Sequence, residues 1–227
     1  MGNLEAIAQD SLLFGANDSI RKTTATTRNS DAAAGYVDAV GPAFHRRGMN
    51  LHMEHAALVV IDPQTEFLNP RSGSIAIPED VERRTIQNLA RLLKAWERTG
   101  LTVAISLTSP RELASEIMLP IQHYARDGKT IICSPHIMYR QPGINDVGLR
   151  LRHQGINQVI LAGMIASLPI ESHLRDFVAM GFEIAVVRDA VAGARLPEGS
   201  GHLSALVNFR CIVNALWTTD ETIRRLG

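Results

Sequence analysis

Asp62 closes an apolar run in ALVVIDPQTEF (57–67), the place in this chain best suited to moving a proton. A carboxylate at the mouth of a buried strand is partly desolvated, which suits acid–base work, although it can equally cap the next turn or neutralise an arginine. Gln64 follows two residues later; it either orients a substrate carbonyl, holds Asp62, or makes a turn hydrogen bond. A second stretch, GMIASLPIESHLRDF (163–177), reads as a strand running through a glycine turn into a helix. Such a junction can seat a nucleophile, because helix N-terminal amides and the macrodipole activate a thiol there. The candidate position holds Pro169. A pyrrolidine ring cannot attack a carbonyl, and it removes one amide from an oxyanion site. Proline is at home in a first helical turn, and Ser167 is the expected N-cap. Cys133 and His136 lie where another strand ends, and His173 lies one turn into the elbow helix. Cys133 is a small core hydrophobe or a substitute nucleophile. His136 is a base, a substrate ligand or a loop histidine, and His173 is expected to be structural. Asp62, His136 and His173 match no metal-ligand spacing, so neither metal nor cofactor is expected.

The elements that position these groups alternate. Continuous apolar runs at 57–62, 101–107, 130–133, 157–163 and 182–190 read as buried parallel strands. Between them lie helical patterns at 80–100, 144–155 and 170–181, a broken helical stretch at 112–128 interrupted by Pro120, and a long amphipathic helix at 204–217 that packs Cys211 into its apolar face. A parallel crossover needs a helix to return the chain, so the expected architecture is a three-layer α/β/α sandwich around a doubly wound, mainly parallel sheet of about six strands. Ligands in such sheets bind beyond the carboxyl ends of the strands. That rule singles out Asp62, Thr108 to Arg111, Ser134 to Tyr139 and Met164 to Pro169. Residues 1–54 differ: RKTTATTRNSDAAAG is small and polar, so an extended arm is expected there, packed on its own domain or on a neighbouring subunit, with the folded domain over 55–227.

Lys and Arg number 23 and Asp and Glu number 23, so no charged surface points to nucleic acid or membrane. No apolar run reaches the roughly 18 residues of a membrane span. The first residues lack a basic secretory n-region, and two cysteines make no disulfide framework, so a cytoplasmic location is expected.

IDPQTEF resembles the IDxQxDF opening of the isochorismatase-like hydrolases, the cysteine hydrolase superfamily. The resemblance continues through GINQVILAGM, IESHLRDFVAMGFEIAVVRDA and LVNFRCIVNALWTTDE, covering about residues 55–222. It implies a doubly wound parallel sheet, a homo-oligomer (dimer or tetramer) and a small-molecule substrate. Amidases of that family use an Asp, Lys and Cys triad. Asp62 matches the first member. The lysine position falls at Ile137, beside His136, and no lysine occurs between Thr130 and Gly227. The cysteine position of the GxxAxxCxES stretch falls at Pro169. The resemblance also implies a cis peptide between Met164 and Ile165. Family members without the thiol protonate a vinyl ether with the aspartate, but they keep the lysine. Two readings follow. One is a hydrolase in which Asp62 is general acid or base on a small carboxylate or cyclic amide, with Gln64, Arg111 and His136 binding it and no cysteine nucleophile. The other is a catalytically silent member that serves as a binding or assembly partner.

Overall fold

A computed structural model describes residues 48–65, 77–108, 117–133 and 146–227. Arg111, His136, Ile137 and the first 47 residues of the expected arm lie outside them. The described chain runs β1 (Ala56–Ile61), α1 (Glu79–Glu97), β2 (Thr102–Ser106), β3 (Ile131–Cys133), α2 (Val147–His153), β4 (Gln158–Met164), α3 (Glu171–Ala179), β5 (Glu183–Ala192), β6 (Arg195–Leu196), β7 (Gly199–Ser200), α4 (Gly201–Ile212), β8 (Ala215–Trp217) and α5 (Thr219–Arg225). Six strands form one sheet in the order β3-β2-β1-β4-β5-β8, and every pairing in it is parallel. β6 and β7 make a separate antiparallel pair.

β1 shows why the sheet is buried on both faces. Its six residues are all buried. Ala56, Leu58 and Val60 point to one core, with Leu89, Leu92, Leu93 and Trp96 of α1. Ala57, Val59 and Ile61 point to the other, with Leu151 of α2, Leu174 and Phe177 of α3, and Phe209 of α4. The period of two along a strand sends alternate side chains to opposite helical layers, so a strand covered on both sides is continuously apolar. α1 begins with Glu79, Asp80 and Glu82 and ends near Lys94, charges that complement its dipole. Its apolar stripe packs on the sheet, and Trp96 Nε1 donates to the Thr102 carbonyl at 3.0 Å, pinning the helix end to the start of β2.

Two elements differ from the sequence reading. The amphipathic stretch at 204–217 is not one helix: α4 stops at Ile212, and Ala215–Trp217 pairs with Ala185–Val187 as the sixth strand. Cys211 accordingly is exposed at the helix end rather than packed, with Sγ 3.8 Å from the Val207 carbonyl. The stretch at 117–128 is turns and a short 3-10 helix, Tyr124–Arg126, rather than α-helix. Pro120 has no N–H to continue a helical ladder.

The winding direction reverses between β1 and β4. From β1 the chain steps outward to β2 and β3, and from β4 it steps the other way to β5 and β8. A reversal of this kind opens a crevice above the sheet, between loops that leave in opposite directions. Asp62 leaves β1 and the glycine turn leaves β4 on either side of it.

Candidate active site

Asp62 is fully buried and carries a positive φ of 44°. That left-handed conformation is uncommon outside glycine and persists only where neighbours enforce it. Three groups do so here. The Asp62 N–H donates to the Ser106 carbonyl at 2.9 Å, continuing the β1–β2 ladder by one step. Its carbonyl accepts the Gln64 N–H at 2.7 Å, a tight turn about Pro63. Its carboxylate is gripped by Thr108: Oδ1 accepts the Thr108 N–H at 2.7 Å and Oδ2 accepts the Thr108 hydroxyl at 2.8 Å. Both bonds are donations to the carboxylate, the pattern its ionised form accepts. Thr108 had no signal of its own in the sequence beyond following β2.

Gln64 is 1% exposed. Its Oε1 accepts the same Thr108 N–H at 3.1 Å, so it holds the clamp on Asp62 from the other side. Its Nε2 is buried without a hydrogen-bond partner among the described residues. The backbone here is fastened as well: Gln64 bridges Ile117 in antiparallel sense, and the Met118 N–H donates to the Pro63 carbonyl at 2.9 Å.

The turn above β4 is built on Gly163, with φ 123°. A Cβ there would lie 2.0 Å from the Ile61 carbonyl oxygen, so only glycine lets β4 pass this close to the end of β1. The peptide between Met164 and Ile165 is cis. A π-turn, Ala166–Ile170, then leads into α3. The widened turn follows from proline. Pro169 has no N–H for the Ile165 carbonyl four residues back, and the bond passes to the Ile170 N–H at 3.3 Å. Ser167 is therefore not the N-cap: the turn opens at Ile165 with no side-chain cap. Pro169 is buried in the second turn-forming half of this segment.

His173 braces the same turn. It is buried, its Nδ1 lies 2.7 Å from the Pro169 carbonyl, and its Nε2 lies 3.0 Å from the Ser106 hydroxyl. A carbonyl only accepts, so Nδ1 is the donor, and in the neutral ring that tautomer leaves Nε2 to accept from the serine hydroxyl. Ser106, which accepts from Asp62 through its backbone, thus ties the acid to the elbow through His173. Cys133 is buried in the core that also holds Ala104 and Val147. Among the described residues no cluster of His, Cys, Asp and Glu could hold a metal ion.

A parallel sheet with a clamped acid above one central strand and a glycine-led elbow above its neighbour defines a doubly wound α/β domain whose working end is at the strands' carboxyl ends. The isochorismatase domain matches residues 56–221, and the chain belongs to that family. The uncharacterized isochorismatase family protein YecD of Escherichia coli is 28% identical over 170 residues, covering 69% of this chain and 89% of YecD. A cysteine hydrolase from Pseudomonas syringae superposes with a TM-score of 0.65 at 18% identity, over 78% of this chain and 95% of that one. N-carbamoylsarcosine amidase from Thermoplasma acidophilum gives 0.55 at 22% identity, over 73% and 97%. No helix among the described residues is long and apolar enough to cross a membrane.

Proposed function

We propose that this chain is a hydrolase of a small carboxylate or cyclic amide in which Asp62 moves the protons and no sulfur attacks. The carboxylate takes a proton from water as its oxygen adds to the substrate, then returns that proton to the leaving group. The observation that carries this reading is the Thr108 clamp: a fully buried carboxylate fixed through both oxygens in a left-handed backbone at the switch point of the sheet. Such strain is maintained where surroundings demand it, and it gathers at working sites. Gln64 Nε2 is the donor for a substrate carbonyl, and Arg111 and His136 are assigned to substrate binding. Pro169 and Ile137 fill the positions where the family's amidases carry sulfur and amine, which is why a water-adding route is proposed over a thiol ester. Relatives that act on small amides support the substrate class, the N-carbamoylsarcosine amidase being one. A cytoplasmic homo-oligomer, with residues 1–54 as an arm, completes the proposal.

The test is turnover of small amides, cyclic ureides and isochorismate-like vinyl ethers by the intact chain. Asp62→Asn is expected to lower kcat by about 100-fold or more, the usual worth of a positioned acid or base. Unchanged turnover in that variant would remove Asp62 from the chemistry.

One observation favours a second reading, a silent member that binds or assembles. Pro169 is buried in the elbow, and the family resemblance assigns the nucleophile's position to it. Saturable hydrolysis of any one of these substrates by the purified chain would dispose of it.

A further inference from the structure

Four buried side-chain atoms of described residues have no hydrogen-bond partner: Gln64 Nε2, Arg84 Nε, Arg84 Nη2 and Thr85 Oγ1. Buried polar atoms are almost always paired, so each exception calls for a cause. All three residues lie at one end of the sheet. Gln64 follows β1 directly. Arg84 and Thr85 sit in the second turn of α1, which starts at Glu79 on the carboxyl side and runs down to the start of β2. The two arginine atoms are more informative than their number. Nε and Nη2 form one edge of the guanidinium, whose parallel N–H groups grip a carboxylate or phosphate side-on. A shielded positive edge with nothing to accept from it is costly unless a counter-group arrives.

The described acids do not supply that group. Neither Nε nor Nη2 of Arg84 reaches an acceptor, and Asp189 turns its Oδ1 to Thr219 instead, accepting the N–H at 2.7 Å and the hydroxyl at 2.9 Å. Arg84 is nevertheless close to the working end. Burial, and after it the Arg84 charge, hold His202 below the usual histidine range, against the opposing pull of its bond to the Arg188 carbonyl and of Asp189. His202 is the second residue of α4 and donates from Nε2 to the Arg188 carbonyl at 2.9 Å. The residue before it, Gly201, abuts the elbow: a Cβ there would lie 3.5 Å from Ser167 Oγ. The first residues of α4 therefore touch the elbow on one side and feel the guanidinium on the other. β5, which carries Arg188, lies two strands from β1, about 10 Å at ordinary strand spacing. That is the length of a small organic molecule.

We propose that Arg84 anchors an anion subsite at the carboxyl end of the sheet, taking a ligand carboxylate side-on through Nε and Nη2. The inference deepens the proposed function by making a carboxylate group part of the substrate class. It rests on that reading only for the step from ligand to substrate.

The test is calorimetric titration of the intact chain with benzoate, with benzamide as its uncharged counterpart and with inorganic phosphate. Wild type is expected to bind benzoate at least about tenfold more tightly than benzamide, the range of charge-assisted hydrogen bonds. Arg84→Met is expected to remove that preference and leave benzamide binding as it was. Arg84→Lys is expected to restore only part of it, since an ammonium has no fork. Arg84→Gln, with circular dichroism on every variant, guards against misfolding. Equal benzoate affinity in wild type and Arg84→Met would overturn the proposal, as would a lowered Tm in Arg84→Met with benzoate binding intact, which marks an internal counter-group. Failure of wild type to bind benzoate would overturn it too, and a phosphate preference with the same Arg84 dependence would overturn the carboxylate assignment. Asp62→Asn separates the two readings. Arg84-dependent binding alongside undiminished turnover in Asp62→Asn would sink the proposed function alone. Turnover lost in Asp62→Asn with benzoate indifferent to Arg84 would sink the subsite alone.

Discussion

Two glutamines, each 1% exposed, stand at opposite ends of neighbouring strands and are treated oppositely. Gln158 begins β4 at the amino end. Its Nε2 donates to the Asn50 carbonyl at 2.8 Å and to Glu183 at 2.6 Å, and its Oε1 accepts the His52 N–H at 2.7 Å. Gln64 follows β1 at the carboxyl end, and half of its amide is left unpaired. The same side chain at the same burial is a structural tie in one place and an unspent donor in the other. The difference teaches where the molecule tolerates cost. At the amino end Asp127 likewise spends its carboxylate on the Lys129 and Thr130 N–H groups at 2.8 Å each and the Thr130 hydroxyl at 2.9 Å. At the carboxyl end are a left-handed aspartate and every buried unpaired side-chain atom found among the described residues.

The contrast can be broken from either side. Gln158→Leu is expected to have the largest effect on stability, a loss of about 2 kcal/mol, because three partners lose a bond at once. A change in the denaturation midpoint near zero would show that Gln158 is no tie. A smaller effect is expected at His202, whose buried ring is held below its ordinary value of 6.5. Sign follows from linkage: below that value the unfolded chain takes up a proton that the folded chain refuses, so stability falls as pH drops from neutral toward the depressed value. Thermal melts against pH should show this slope in wild type and a flatter one in His202→Gln; identical slopes would acquit His202. The smallest stability effect is expected for Gln64→Met, within about 1 kcal/mol of wild type, since it discards an unpaired donor along with one shared acceptor. Its KM should nevertheless rise about tenfold, the worth of a single buried hydrogen bond to substrate. A large loss of stability with KM unmoved would make Gln64 the equal of Gln158 and erase the contrast.

Much of this arrangement was legible in the residues, and the limits have physical causes. The run ALVVI had to be buried on both faces, and the acid after it had to fall at the strand's end. The α1 pattern was long enough for its period to declare itself, and Gly163 announced a turn. A sheet of about six strands was expected, but the place of the sixth was not legible. Ala215–Trp217 is three residues long, pairs on one side with β5, and continues the apolar spacing of the helix before it, so no periodicity separates the two. Ser106 was passed over, and Thr108 was marked only by following a strand, because a hydroxyl beside a strand end is commonplace until something is seen to accept from it. Arg84 lies in the charged run EDVERR, where an arginine facing a helical neighbour looks the same as one facing water. Asp62 and Gln64 were readable as candidates because position alone marked them; the clamp that makes sense of them is a matter of three dimensions.

β5 takes a detour beside β4: it advances five residues, Val186 to Val191, while β4 advances two, Leu161 to Gly163. The slack is stitched down by helices from both layers, with Asn88 of α1 on the Asp189 carbonyl at 2.8 Å, His202 of α4 on the Arg188 carbonyl, and Thr219 of α5 on the Asp189 side chain. A seam of that kind lets the upper rim be recut without disturbing the weave below. Residues added to or taken from it would raise or lower one wall of the crevice, and relatives sharing this sheet could differ in what they admit by the length of that one stretch.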